Sequence, residues 1–175
     1  MISNCGHDEN RKLSGGKAGD QTKTEYAVIP WYNRPWLRVL RYPDTNVAND
    51  LATVAAAGAN NNLVGYDQSQ RLTYYQHLKA SRWDPSKITI SCEADCSAST
   101  CANIIAVGYR CGIGKLKAFS NVLTTSSLRA ALRNAGFQEL TDRKYLTSDA
   151  YLLPGDILLY DGHHVAINLT KGMGA

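Results

Sequence analysis

The 175-residue sequence lacks the features that mark several classes of protein. No apolar run approaches the ~20 residues that a helix needs to span a bilayer, which argues against a transmembrane segment. The first residues are polar, among them Ser3, Asn4 and Asp8, so the sequence shows no secretory signal. It has no internal repeat, and its net charge of +4 comes from scattered basic residues, which argues against nucleic acid as a partner.

The sequence does contain enough apolar side chains for one ordinary core, at 44% hydrophobic residues. We therefore predict a single domain over residues 1–175, in which residues 1–45 form a polar N-terminal arm and an aromatic segment. Hydrophobic periodicity predicts helices over residues 45–59, 69–80, 95–109 and 127–135. Short strands are expected over 26–32, 88–90, 137–140, 157–160 and 165–170. Because most of the helices come first and an antiparallel hairpin comes last, the expected class is α+β.

One of the five cysteines, Cys96, stands at the predicted start of a helix that Asp95 or Ser97 would cap. A thiol attacks only as its thiolate, and a helix N-terminus favours that negative charge. The small side chain of Ser97 leaves room for a substrate carbonyl, and nearby backbone N–H groups could form an oxyanion hole. Cys96 is therefore a candidate nucleophile, and the alternative is a buried structural cysteine.

Two adjacent histidines, His163 and His164, open the last predicted strand. Because side chains alternate across a strand, the two point to opposite faces. If Val165 and Ile167 face the core, His164 faces the side where a helix bearing Cys96 could pack. His164 is therefore the candidate base, and the alternative is a surface histidine without a catalytic role.

Three ordered motifs resemble a known family. Asp95-Cys96-Ser97 is similar to the D-C-S motif of NlpC-type cell-wall cysteine peptidases, residues 153–159 to their P-G-D strand, and residues 164–167 to their H-V strand. This resemblance covers residues 92–170, and the whole chain is similar to endolysin-like peptidoglycan hydrolases of phages and prophages of Gram-positive bacteria. It implies a papain-like NlpC-type fold, with the nucleophile helix packed on a small antiparallel sheet.

The resemblance also implies a reaction. Such a thiol-dependent peptidoglycan hydrolase cuts an amide bond, either within the stem peptide or between N-acetylmuramic acid and L-alanine. Cys96 would attack the carbonyl and His164 would move the proton, with no cofactor. The expected protein is a monomer that is made in the cytoplasm and reaches the wall after holin-type or lysis-dependent release.

Two residues of the family pattern are not in their usual places. An aromatic residue normally lies shortly before the cysteine; the nearest candidates are Tyr66, Tyr74 and Tyr75, and Tyr66 is our choice. The polar residue that orients the histidine normally lies on the following strand, for which too few residues remain. We hypothesise that the N-terminal arm lies beside the terminal strand and supplies this residue, the alternative being a solvated arm. The candidates are Asn4, His7, Asp8 and Asn10.

Aromatic residues are also predicted to line the substrate cleft. Trp31 and Trp36 lie close together in the sequence, and His163 follows the predicted hairpin turn. Packing in the core or at its rim is the other interpretation of the tryptophans. A second class of function, a cell-wall-binding module without catalysis, would use the same aromatic rings as a sugar platform.

No metal site is predicted. A zinc-dependent hydrolase would find suitable ligand types among the cysteines and histidines, but their spacing matches no zinc motif. Asp8, Glu9 and Asp20 are suitable ligand types for calcium, yet no segment matches a defined calcium loop.

Overall fold

The fold is described by a computed structural model that covers residues 1–175. The strands are β1 (Ile2–Cys5), β2 (Tyr26–Ile29), β3 (Arg38–Arg41), β4 (Val64–Tyr66), β5 (Cys92–Ala94), β6 (Gln138–Leu140), β7 (Ile157–Tyr160) and β8 (His164–Asn168). The helices are α1 (Thr45–Asn60), α2 (Thr73–Ala80), α3 (Cys96–Cys111), α4 (Gly114–Lys117), α5 (Leu128–Asn134) and α6 (Arg143–Leu146). Short 3-10 turns occupy Gln68–Gln70 and Pro85–Lys87.

Six strands form one antiparallel sheet in the order β2-β1-β8-β7-β3-β6, and β4 pairs with β5 in a separate parallel ladder. The predicted α+β class is therefore confirmed. No helix is both long and apolar enough to cross a membrane.

The hairpin of β7 and β8 lies at the centre of the sheet. Its turn contains Gly162 at φ 78°, a left-handed conformation that favours glycine. The register pairs Ile157 with Ile167 and Leu159 with Val165. These four side chains belong to the main core cluster of 32 buried residues, which includes residues of α1 and α3. The opposite face carries a smaller apolar cluster, so β8 is buried on both faces.

Helix α3 begins and ends as the sequence predicts. Asp95 has an extended backbone, and its side chain accepts the Ala98 N–H at 2.8 Å, so it caps the helix and Cys96 becomes the first helical residue. Gly112 ends the helix in the left-handed conformation. Residues 97 to 108 are all buried, which makes α3 the central helix of the core.

Some sequence predictions of secondary structure are wrong. The polar N-terminal arm contains a strand that was not predicted, Ile2–Cys5, and β3, β4 and β5 were not predicted either. The strand expected at residues 88–90 does not form. Ile88 is buried, but Ile90 is 58% exposed. The helix expected over 69–80 begins at Thr73, after a 3-10 turn that the Asp67 side chain caps.

Candidate active site

Cys96 and His164 are each the first residue of their element, α3 and β8. The Cys96 side chain is partly buried, and the backbone N–H of Val165, the residue after His164, is close enough to the thiol to lower its pKa. The structure therefore brings Cys96 to the end of the strand that carries His164. No direct hydrogen bond joins the sulfur to the imidazole.

The way the two residues meet differs from the sequence prediction. Val165 and Ile167 do face the main core, but α3 packs on that same face, whereas His164 faces the smaller cluster. The prediction that α3 packs on the His164 face of the strand is therefore wrong. Cys96 is linked to this end of β8 through the backbone of Val165, the residue after His164, and the Arg34 guanidinium acts on the pKa of both Cys96 and His164.

Asn4 contacts His164 directly. Its Oδ1 lies 2.7 Å from His164 Nε2, across 160 positions of sequence. The register of β1 on β8 pairs Ser3 with Ile167, which places Asn4 opposite Ala166 and on the same face as His164. With the amide oxygen as acceptor, Nε2 carries the ring proton and Nδ1 remains basic.

The other three candidates from the arm do not contact His164. The Nδ1 of His7 donates to the carbonyl of Asp8 at 2.7 Å. The Asp8 carboxylate accepts the backbone N–H groups of Asn10 and Lys12, so it closes a turn within the arm. The side chain of Asn10 is exposed.

Burial keeps both members of the pair uncharged. It raises the pKa of Cys96 to about 11, and the neighbouring Asp95 carboxylate acts in the same direction. Backbone N–H groups of Val165 and Ser97 oppose this shift, as does the Arg34 guanidinium. Burial lowers the pKa of His164 to about 4, and Arg34 lowers it further. At neutral pH the resting state is therefore a thiol beside a neutral imidazole.

The aromatic segment covers the histidine. The Trp36 ring lies 6.0 Å from the His164 ring at an interplanar angle of 32°, and only 4% of Trp36 is exposed. Its Nε1 donates to the Tyr32 carbonyl at 3.1 Å, which fixes the segment. Arg34 lies between them in sequence, donates weakly to the Tyr32 hydroxyl at 3.4 Å and has no carboxylate partner. Trp36 therefore covers one side of the imidazole and shields it from solvent.

The remaining predicted cleft residues are Trp31 and His163, and neither forms a hydrogen bond or a ring contact with His164. Trp31 is half-buried against the smaller apolar cluster, and its Nε1 has no partner. His163 is exposed in the hairpin turn, and its ring packs against Tyr160 with centroids 4.2 Å apart and an interplanar angle of 32°. A cavity of about 470 Å³ lies elsewhere, around Arg41 and Asp156.

Arg71 fixes the start of helix α3, and sequence reasoning missed it. Its Nε donates to Asp95 Oδ2 at 2.7 Å and its Nη2 to Asp95 Oδ1 at 3.2 Å. The same Nη2 donates to Ser97 Oγ at 2.9 Å and to the Leu123 carbonyl at 2.7 Å. Asp95 and Ser97 therefore act as parts of one network that fixes the residues on both sides of Cys96. The only sequence signal was the acidic cap itself, which needs a cation when it is buried.

Tyr66 also lies near Cys96. In β4 it pairs with Ala94 of β5, two residues before Cys96, and its hydroxyl accepts the Gln68 side-chain amide at 3.1 Å. Burial raises the pKa of Tyr66, and the nearby Cys96 contributes to the shift. Tyr66 is therefore a neutral, positioned hydroxyl at neutral pH.

Comparison with known proteins identifies the family. A family model described as an endolysin-like domain matches residues 2–175, almost the whole chain. No curated protein and no solved structure gives a match. The match confirms the endolysin-like part of the sequence resemblance and indicates a role in cell-wall hydrolysis in the broad sense. The chain therefore belongs to the endolysin-like domain family.

Proposed function

We propose that this protein is a cysteine hydrolase that cuts an amide bond of bacterial peptidoglycan, with Cys96 as nucleophile, His164 as general base and Asn4 as the residue that orients His164. The contact between Asn4 and His164, next to a cysteine at a helix start, is the observation that carries the proposal. A nucleophile, a base and a group that orients the base are the elements that this type of catalysis requires. We further propose that the arrangement is papain-like in the manner of NlpC-type peptidases.

The first half of the reaction forms an acyl-enzyme. The Asn4 amide oxygen accepts the Nε2–H of His164, so Nδ1 has the lone pair that takes the thiol proton of Cys96. The sulfur attacks the carbonyl carbon, and backbone N–H groups in the first turn of α3 stabilise the oxygen that becomes negative. When the tetrahedral intermediate collapses, the C–N bond breaks and His164 returns the proton to the leaving amine.

The second half releases the product. Water attacks the thioester carbonyl while His164 Nδ1 accepts its proton. The C–S bond then breaks, the carboxylic acid leaves, and the proton returns to the sulfur. No net oxidation occurs and no external cofactor is needed.

The neutral resting pair determines when the charges form. Proton transfer from Cys96 to His164 creates a thiolate and an imidazolium, which stabilise each other because they lie close together in a poorly hydrated site. The transfer therefore accompanies attack on the carbonyl. The positive charge of Arg34 lowers the pKa of Cys96, which favours the thiolate. It also lowers the pKa of His164, which keeps the imidazole neutral before the reaction begins.

Lysis of Gram-positive cell walls tests the proposal. The turbidity of a wall suspension should fall with the wild-type protein, and Cys96→Ala should lower the rate by at least about 10³-fold. Cys111→Ser is the matched control, because Cys111 is exposed and distant from the site, and it should lyse normally. Unchanged lysis by Cys96→Ala would refute the proposal, and binding without lysis by the wild type would favour the wall-binding alternative.

Mass analysis of the released muropeptides identifies the bond. A new L-alanine N-terminus indicates an N-acetylmuramoyl-L-alanine amidase, and any other new N-terminus indicates a stem-peptide endopeptidase.

A further inference from the structure

Arg34 differs from the other partly buried arginines in what it contacts. Arg34, Arg38, Arg41 and Arg71 are the four arginines of this class. The other three each donate to a carboxylate, at 2.7–2.9 Å. Arg34 donates only to the Tyr32 hydroxyl, at 3.4 Å. Since a guanidinium has five N–H donors in a planar fork that matches a carboxylate, Arg34 can bind a carboxylate of another molecule.

The backbone that carries Arg34 is fixed by its neighbours. The Trp36 N–H donates to the Arg34 carbonyl, which closes a three-residue turn around Pro35. The proline ring fixes its own φ and restricts the backbone of the residue before it. Buried Trp36 anchors the turn, because its Nε1 donates to the Tyr32 carbonyl and its ring packs 5.9 Å from the Tyr32 ring. Arg34 is therefore held by the same residues that cover His164.

This turn places the guanidinium within electrostatic range of the proposed catalytic pair. The Trp36 ring lies 6.0 Å from the His164 ring, so the segment lies against the base. The positive charge of Arg34 lowers the pKa of both Cys96 and His164. The flanking residues Asn33 and Pro35 are exposed, so the segment also borders solvent. A substrate whose amide reaches Cys96 therefore passes close to Arg34.

The proposed substrate carries negative charges that could pair with this arginine. In a peptidoglycan stem peptide, D-glutamate is linked through its side-chain carboxyl group. Its α-carboxylate is therefore free unless the cell has converted it to the amide of D-isoglutamine. The last D-alanine ends in a second free carboxylate. Both groups have the shape that a guanidinium binds through two parallel hydrogen bonds, and conversion to an amide removes the charge of either one.

We propose that Arg34 binds a free carboxylate of the stem peptide beside the scissile amide and makes the protein selective for anionic over amidated peptides. This inference rests on the proposed function, since it assigns a substrate group to the same site. A carboxylate bound there would hold the peptide between the Tyr32–Trp36 turn and the nucleophile.

Three synthetic lysine-type muropeptides test the selectivity. One has both carboxylates free, one has D-isoglutamine in place of D-glutamate, and one has a C-terminal carboxamide. The wild-type kcat/KM should fall by about 10-fold or more for one of the two amides, because an ionic hydrogen bond becomes a neutral one. The amide that causes the fall identifies which carboxylate Arg34 binds.

Three variants assign the selectivity to the arginine. Arg34→Gln should bring the ratio of kcat/KM between the free and amidated peptides close to one. Arg34→Lys should keep part of the ratio, because it retains the charge but loses the planar fork. Arg143→Gln replaces an exposed arginine that also has no carboxylate partner, and it should keep the wild-type ratio. The ratio does not depend on the fraction of protein that is folded, so a loss of stability cannot imitate the result.

Calorimetric binding to Cys96→Ala separates this inference from the proposed function. This variant should bind the peptide with free carboxylates about 10-fold more tightly than the discriminated amide. With Arg34→Gln added, the difference should disappear. If the wild type hydrolyses none of the peptides, the proposed function fails, and the binding difference alone decides the role of Arg34.

Two results would overturn the inference. One is equal kcat/KM for all three peptides or, without hydrolysis, binding that is absent or the same for all of them. The other is an Arg34→Gln variant that is slower on every peptide but keeps the wild-type ratio, because Arg34 would then act only on the charges of Cys96 and His164.

Discussion

Replacement of Asn4 tests whether this residue orients the histidine. Asn4→Ala removes the acceptor that lies 2.7 Å from His164 Nε2. A neutral hydrogen bond contributes about 0.5–1.5 kcal/mol and a bond to a charged group about 1.5–3 kcal/mol. Because His164 becomes imidazolium as the thiol proton moves, the stronger bond applies in the transition state. Since the variant also loses the neutral bond of the ground state, only the difference of about 1–1.5 kcal/mol raises the barrier, and we expect kcat to fall by about 5- to 13-fold.

The kinetic assay should separate this effect from a loss of folding. Hydrolysis of a purified muropeptide gives kcat and KM separately, and KM should change little because Asn4 is expected to contact the base and not the substrate. Asn4→Asp places a carboxylate beside the imidazole, which should raise the pKa of His164 and move the acidic limb of the pH profile to higher pH. Asn10→Ala is the matched control, since Asn10 lies in the same arm with an exposed side chain.

Wild-type kcat and an unmoved pH profile in both Asn4 variants would refute this role. A loss of activity that parallels a loss of ellipticity would refute it as well, because Asn4 would then act only on the stability of β1.

Two further predictions concern the base and the helix start. Only the neutral imidazole accepts a proton, and the pKa of His164 is about 4. The kcat/KM of the wild type should therefore stay level above about pH 5 and fall by half near pH 4. A fall in kcat/KM centred near pH 6.5 would contradict the argument that burial lowers this pKa. Arg71→Met leaves Asp95 buried without its partner and should lower the free energy of unfolding in urea by about 3 kcal/mol. Arg110→Met breaks a more exposed ion pair and should cost less than about 1 kcal/mol, so equal losses in the two variants would contradict the network around Cys96.

The elements with local signals could be predicted from the sequence. Helix α3 has an acidic cap, an apolar face and a glycine stop within a short stretch, so its start at Cys96 follows from neighbouring residues. The hairpin of β7 and β8 has a turn signal between two apolar runs, and it forms as predicted.

Features that depend on distant parts of the chain could not be predicted in this way. Strand β1 has four residues in a polar region, and it exists because its two partners, β2 and β8, are brought to it by the fold. The strand expected at 88–90 had the right alternation but finds no partner strand, since Ile90 points to solvent. Arg71 and Arg34 were missed for the same reason, because an isolated basic residue carries no local sign of what it will contact.

The position of Asn4 follows from strand pairing and not from order along the chain. Strand β8 has β7 on one side and β1 on the other, both antiparallel. Any strand that pairs with β8 in this way puts a side chain diagonally opposite His164 and on its face, whether it precedes or follows β8 in the sequence. The orienting group can therefore come from the arm although NlpC-type peptidases take it from the following strand. Because a shift of β1 by one residue would turn Asn4 to the other face, the pairing of Ile2 and Ser3 with β8 is as necessary to the proposed base as the asparagine itself.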